Sequence, residues 1–319
     1  MDAGPSERLR LSARLPARSF APPRDCVVLT ADDPRLFGLA ERLWDRGGGR
    51  SPLPALDFEI SVRPGLAPGS NSERALIWTR TAQGWEVALE TSLAVRIDLV
   101  SSRVTATVFH GLLEDDPALA ARYLLEAPAA VLLSRRVWQV LHAGAVVGSR
   151  GAIVIRGGPG AGKSTLVAAA WKAGFSVLAD ESLLVAREDT DELAASVRDL
   201  TLRDDAAAML GLDDQTAAAF SGGEAKRRIN LWTSSSPVAR RARRIATVLL
   251  GDRERTPARI VPLPEDEFVA SFRAGEIPQE RDGGDPDPIA TAWSAGGGFR
   301  LDGACDLVGA IAALARFML

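Results

Sequence analysis

The sequence predicts an α/β protein, α+β overall, with a smaller β-rich N-terminal lobe before a phosphate-loop nucleotide-binding lobe. The first observation behind this is residues 157–165, which read G-G-P-G-A-G-K-S-T. They fit the phosphate-loop pattern, with Gly157, four residues, then Gly162, Lys163 and Ser164. The apolar run Ala152–Arg156 before them predicts a buried strand, and Thr165–Lys172 after them predicts a helix, which is the setting the motif requires. The second observation is a series of short alternating segments at 75–79, 85–90, 94–100 and 104–109, separated by Gly84, Thr91-Ser92 and Ser101-Ser102. That spacing predicts a β-meander.

The bulk properties set limits. At 319 residues and 46% apolar content the chain can bury one large core or two modest ones. A net charge of −3 gives no global argument for nucleic acid or for an anionic membrane. Cys26 and Cys305 are too far apart in sequence to suggest a metal knuckle or a disulfide framework. No segment approaches the roughly 20 apolar residues of a membrane span, and the arginines near the N-terminus precede no apolar run of the signal-peptide kind. A reducing, cytoplasmic setting is expected, with neither nucleic acid nor membrane as partner. The oligomeric state stays open, a homo-oligomer included.

In order, residues 1–24 are rich in Arg, Pro, Ser and Ala without periodicity and predict a mobile arm. A β-rich lobe is expected over 25–115, with a short helix at 36–44, a strand near 58–62 and then the meander. The second domain is expected over 116–319. Asp116-Pro117 opens a helix to about Glu126, and Pro128 another to about Leu141. A strand at 145–147 turns into the loop-bearing strand, and Phe175–Ala179 forms a third. Ser182–Arg187 predicts a further strand, 203–220 a helix, Ile245–Leu250 a strand and Glu265–Arg273 a helix. Pro, Gly and Asp at 279–288 predict an exposed loop. A last helix is expected over 304–318.

The loop residues Gly157, Gly158, Pro159, Gly160, Ala161, Gly162, Lys163, Ser164 and Thr165 are the candidate nucleotide site. Glycines let backbone N–H groups turn inward around phosphate oxygens at a helix start that already favours an anion. Lys163 would neutralise the β- and γ-phosphates, and the Ser164 hydroxyl would ligate Mg²⁺. The chain has three lysines against 35 arginines, yet places a lysine here, where a compact ammonium suits phosphate. The bland reading is a Gly-rich turn between strand and helix. Asp180-Glu181, at the carboxyl end of the third strand, could hold the metal or accept a proton from an attacking hydroxyl. An acidic pair capping the next element is the structural alternative. His142, just before the strand at 145–147, could orient that carboxylate or contact the phosphoryl group. A histidine satisfied by backbone groups is the alternative there.

Together L-H-A-G-A-V-V (141–147), G-G-P-G-A-G-K-S-T-L (157–166) and G-F-S-V-L-A-D-E (174–181) resemble the HPr kinase/phosphorylase-like family. Its catalytic domain has the fold of the phosphoenolpyruvate carboxykinases. The resemblance covers about residues 120–275. It continues weakly through Lys226-Arg227-Arg228 and the strand at 240–250. His142 matches the family's histidine, and Asp180 matches the first of its Asp-Asp pair. Glu181 departs from the second. The signature stretch of true HPr kinases has no equivalent, and the N-terminal lobe differs, which points away from HPr as substrate. The resemblance implies an ATP- and Mg²⁺-dependent kinase acting on a serine-like hydroxyl of a peptide, protein or amino acid. Lys163, Asp180 and His142 would be its catalytic residues, and Ser164, Asp180 and Glu181 its metal ligands.

Two rival readings remain. Phe220–Arg228, F-S-G-G-E-A-K-R-R, is close to the signature of ABC-type ATPases, but it follows the loop too soon and no later histidine exists. Ser221-Gly222-Gly223 reads better as a hairpin turn, with Lys226, Arg227 or Arg228 facing phosphates, an anionic acceptor or solvent. The other rival is a non-catalytic ATP-binding regulatory module, which needs no base at Asp180.

Overall fold

The computed structural model describes residues 15–21, 26–46, 54–65, 76–89, 91–195, 199–212, 216–221, 224–231, 239–251, 257–277, 280–281 and 284–318. Two compact units divide the chain, one of Met1–Ser70 and Trp78–Leu124, the other of Asn71–Ile77 and Leu125–Leu319. The fold is mixed α and β with several sheets.

In the first unit, alternation decides which side chains are buried. Val27, Leu29 and Ala31 of β2 (Val27–Ala31) face the core, as do Leu56, Phe58 and Ile60 of β4 (Leu56–Arg63). Strands β1 (Arg18–Ala21), β3 (Asp45–Arg46), β5 (Leu76–Arg80), β6 (Gly84–Leu89), β7 (Leu93–Asp98) and β8 (Arg103–Phe109) complete one sheet, ordered β3-β1-β2-β4-β8-β7-β6-β5. The expected meander is present as β5 to β8. Parallel pairing of β4 with both β2 and β8 joins it to the first strands. Helix α1 (Pro34–Leu43) starts where Asp33 accepts the Arg35 N–H at 2.9 Å, with Pro34 preset in the first turn. Its Leu36, Phe37 and Leu39 are buried, each worth about 1.5–3 kcal/mol relative to exposure. Within the expected arm, residues 1–14 and 22–24 lie outside the described residues. Arg18–Ala21, however, is a strand rather than an aperiodic arm, because it pairs with β2, a partner its own composition does not reveal.

Short helices follow, α2 (His110–Asp115), α3 (Pro117–Ala121) and α4 (Ala127–Leu133), with a π-helical turn at Arg122–Glu126. The helix expected to reach Leu141 stops at Leu133. Trp138–His142 is strand β9 instead. Its apolar residues continue the helical spacing, but pairing with β13 (Ser182–Ala186) fixes them as strand.

The second unit is built on a nine-stranded mixed sheet. Its path is β12 (Ser176–Ala179), β10 (Gly144–Val147), β11 (Ala152–Arg156), β18 (Arg241–Leu250), β14 (Glu192–Ala194), β13 and β9, with β19 (Arg259–Pro262) and β20 (Gly298–Asp302) attached beside β18. Central β11 (Ala152–Arg156) is buried at all five positions, as a strand covered on both faces must be. The sheet departs from the simple parallel order of an open α/β lobe. β10 (Gly144–Val147) runs antiparallel to both β11 and β12 (Ser176–Ala179), so β10 separates those two. It also follows that β11 and β12 point the same way. β11 pairs in parallel with β18 (Arg241–Leu250), whose first residues pair antiparallel with β14 (Glu192–Ala194). Helix α5 (Lys163–Lys172) buries Leu166, Val167 and Ala168.

Two more expectations are corrected. The Ala- and Leu-rich stretch 203–220 gives only helix α6 (Asp204–Met209), and Thr216–Ser221 is strand β16. That strand pairs residue for residue with β17 (Glu224–Asn230), overriding alanine's helix preference. With β15 (Asp199–Leu202) they form a three-stranded sheet, β15-β17-β16. Ser221 lies opposite Glu224, and Gly222-Gly223, where the hairpin turn is expected, lie outside the described residues. The expected loop at 279–288 instead holds a buried Glu280 and ends in helix α8 (Asp287–Ala295), the next helix after α7 (Glu265–Ala274). The closing helix α9 is Leu307–Met318. No helix among the described residues is long and apolar enough to cross a membrane.

Candidate functional site

All the candidate residues belong to the second unit. Because β11 and β12 share a direction, their carboxyl ends lie on one edge of the sheet, delivering Gly157 and Asp180 to the same side. The amino end of β10 is on that edge too, two residues after His142. The sheet therefore brings together the loop, the acidic pair and the histidine.

The loop takes a shape that glycine permits. Gly160 and Gly162 have φ of +75° and +99°, in the left-handed region that costs other residues roughly 1–2 kcal/mol. Gly162 stands at the N-cap of α5 and has no capping side chain. The loop closes through Ala161 N–H to the Gly158 carbonyl at 3.1 Å, and the helix starts with Leu166 N–H to the Gly162 carbonyl at 3.0 Å. Pro159 and Gly160 are exposed, while Ser164 and Thr165 are half-buried at the helix start. Backbone N–H groups at such a start, with the helix dipole behind them, are suited to an anion.

Lys163 is 6% exposed, and its ammonium donates to the carbonyls of Gly157 at 2.8 Å and Gly158 at 3.2 Å. Burial holds its pKa below the ordinary lysine value, and the charge of Arg156 adds to the effect. Asp180 and Glu280 oppose that shift, and Lys226 reinforces it.

Asp180 is 3% exposed, and its Oδ2 accepts the backbone N–H of Thr201 at 3.1 Å. This bond ties the acidic pair to β15 and hence to the three-stranded sheet. In that sheet Thr201 lies opposite Arg228, two residues after Lys226. Arg227 and Arg228 are paired with Asp204 and Asp199. Of the three basic residues noted in the sequence, Lys226 is among the charges that lower the Lys163 pKa.

His142 ends β9 opposite Ser182, the first residue of β13. Its Nδ1 lies 3.2 Å from the Glu181 carbonyl. Donation to that carbonyl puts the proton on Nδ1 and makes Nε2 the acceptor in the neutral ring. The structure thus joins His142 to Glu181 through the Glu181 backbone, while the Glu181 side chain is half-buried.

Sequence reasoning missed two residues here. Arg156, which precedes Gly157, is completely buried and forms a bidentate pair with Glu280, at 3.0 and 2.7 Å. An arginine at the end of an otherwise apolar strand was a visible signal. Glu280 gave none, since its neighbours read as loop.

Among the described residues, no three His, Cys, Asp or Glu side chains gather into a set that could hold a metal ion. A magnesium ion bound with a nucleotide takes one or two protein ligands and completes its shell with phosphate oxygens and water. The hydroxyl of Ser164 and the carboxylate of Asp180 are a donor set of that kind.

No family model matches this chain, and no curated protein matches it. Among solved structures it is similar to the Hpr(Ser) kinase/phosphatase from Coxiella burnetii, with a TM-score of 0.31 and 11% identity. That similarity covers 56% of this chain and 95% of the other. A likeness of this size defines neither a family nor a reaction.

Proposed function

We propose that this chain is an ATP- and Mg²⁺-dependent phosphotransferase that delivers the γ-phosphate to a serine-like hydroxyl of a peptide, protein or amino acid. One observation supports the reading above the rest: the glycine loop with Lys163 follows β11 and a buried Asp180 follows β12, and these two strands end on the same sheet edge. A phosphate-binding cation and a carboxylate at one edge are the minimal pair for phosphoryl transfer.

In this reading the loop N–H groups and Lys163 bind the β- and γ-phosphates, with Lys163 exchanging the Gly157 and Gly158 carbonyls for phosphate oxygens. Ser164 would hold the metal, with Asp180 reaching it through a water, and the metal would supply positive charge against those phosphates. The acceptor oxygen attacks γ-phosphorus, the bond to the β–γ bridging oxygen breaks, and ADP leaves. The hydroxyl proton passes to Asp180. Positioning and electrostatics supply most of the acceleration.

A specific observation favours the second reading, a non-catalytic ATP-binding module. Asp180 already accepts the Thr201 N–H, a bond that gives it a structural task. Phosphorus NMR with Mg-ATP and serine-bearing acceptors separates the two. ADP with a new phosphomonoester signal supports the transferase. Binding without turnover, on every acceptor tried, supports the module.

A further inference from the structure

Three segments meet at one buried carboxylate. Glu280 is 1% exposed, and its Oε1 accepts both Arg156 Nη1–H at 3.0 Å and the backbone N–H of His142. Its Oε2 accepts Arg156 Nη2–H at 2.7 Å, and its own carbonyl accepts Gln139 Nε2–H at 2.9 Å. The Arg156 guanidinium also donates from Nε to the Phe272 carbonyl at 3.0 Å and stacks 4.1 Å from the Phe272 ring centroid. Glu280 therefore grips β9 where it delivers His142, and β11 where it hands over to Gly157.

A fully buried ion pair is a poor device for stability alone. Removing both charges from water carries a large desolvation cost, and well-packed apolar replacements are often neutral or stabilising. What an apolar pair cannot supply is the directional bond to the His142 N–H and the fork that fixes Arg156 beside the loop.

We propose that Glu280 and Arg156 are positioning residues that hold His142 and the phosphate loop in a fixed relation. This rests on the transferase reading for its kinetic consequence, but not for its geometric one. Glu280 is 1% exposed, and both of its carboxylate oxygens are engaged by Arg156 or His142. It acts through the His142 backbone and through the Arg156–Gly157 link. A misplacement of about 1 Å at a reacting centre is enough to cost about 100-fold in rate.

The test uses the full chain and three variants: Glu280→Gln, Arg156→Met, and the double Arg156→Met/Glu280→Leu. The double variant is expected to melt near the wild-type temperature and to bind Mg-ATP within about threefold. Its kcat should fall 10- to 100-fold with KM little changed. Glu280→Gln keeps an acceptor for His142 N–H and should recover part of that loss. Arg156→Met strands the Glu280 charge and should be the least stable of the three. The ring signal of His142, one of only two histidines, is read by NMR without ligand, using His110→Gln for assignment. It should move in the double variant and less in Glu280→Gln. Wild-type kcat and an unmoved His142 signal in the double variant would overturn the proposal, leaving the pair as core filling. Equal losses in Glu280→Gln and the double variant, each following melting temperature, would overturn it as well. If the wild-type chain transfers no phosphate, the transferase reading fails. The His142 signal then decides the positioning claim by itself, a shift sustaining it and an unmoved ring refuting it.

Discussion

The Lys163 ammonium donates to the Gly157 carbonyl at 2.8 Å, so the lysine is bound by the first residue of its own loop. Gly158 accepts it as well, at 3.2 Å. On the proposed reading, a triphosphate would have to draw the ammonium away from these carbonyls. Phosphate oxygens carry full negative charge and carbonyls do not, so the exchange favours the ligand.

Lys163→Met follows from this. Transfer should fall by about 10²- to 10³-fold, the usual loss when one donor to a developing charge is removed. The buried ammonium contributes little to folding, so the melting temperature should hold or rise. Steady-state rates and thermal melts on the same preparation check both. A variant with unchanged rate has no phosphate contact at this position.

The lowered pKa of Lys163 sets a pH dependence. Its folded value lies below the ordinary lysine value of 10.5 that the unfolded chain shows. Between the two, the unfolded chain binds more protons, so this residue's contribution to stability becomes more favourable as pH rises through that window. Melting curves of wild type and Lys163→Met, compared across alkaline pH, should shift in favour of wild type. Mg-ATP acts oppositely. Phosphate favours the charged lysine, so binding takes up protons there, and affinity falls as pH rises past the folded value.

Lys226 supplies a third expectation. Its charge pushes the Lys163 pKa down, as a like charge does. Lys226→Met should raise the Lys163 pKa and weaken Mg-ATP binding by about fivefold, roughly 1 kcal/mol. Nucleotide titration at two pH values reads both effects. If only the pKa moves, Lys226 lies beside the site without serving it.

The site also depends on close packing beneath it. A Cβ added at Gly144 would lie 2.6 Å from Val167 Cγ2 of α5, the helix that begins at Lys163. Gly144→Ala should cost about 1–3 kcal/mol of stability by overpacking. Urea unfolding checks the cost, and loss of less than a few tenths of a kcal/mol would show that the helix gives way freely.

The loop was legible in sequence because its chemistry is local. Strand, glycines, lysine and helix follow one another without a gap, and the meander was legible from its alternation. Pairing partners were not legible. Trp138–His142 continued a helical period and became strand only through β13, and Thr216–Ser221 became strand only through β17. The antiparallel β10 lies between β11 and β12, an order local signals do not fix, and Asp180 ends on the edge that carries the loop. Glu280 was hidden among Pro, Gly and Asp because its significance lies in Arg156, 124 residues earlier. Local rules describe local chemistry, and long-range partners select among the conformations those rules allow.

The most direct measurement compares Asp180→Asn with wild type for Mg-ATP binding and for phosphoryl transfer. An asparagine side-chain oxygen can still accept the Thr201 N–H, so the fold should survive and Mg-ATP should still bind, weakened by the loss of one carboxylate charge near the metal. Transfer should fall by about 10²- to 10⁴-fold, as when a general base is removed. An asparagine variant that transfers phosphate at the wild-type rate would contradict the account, leaving Asp180 only the task of holding β15.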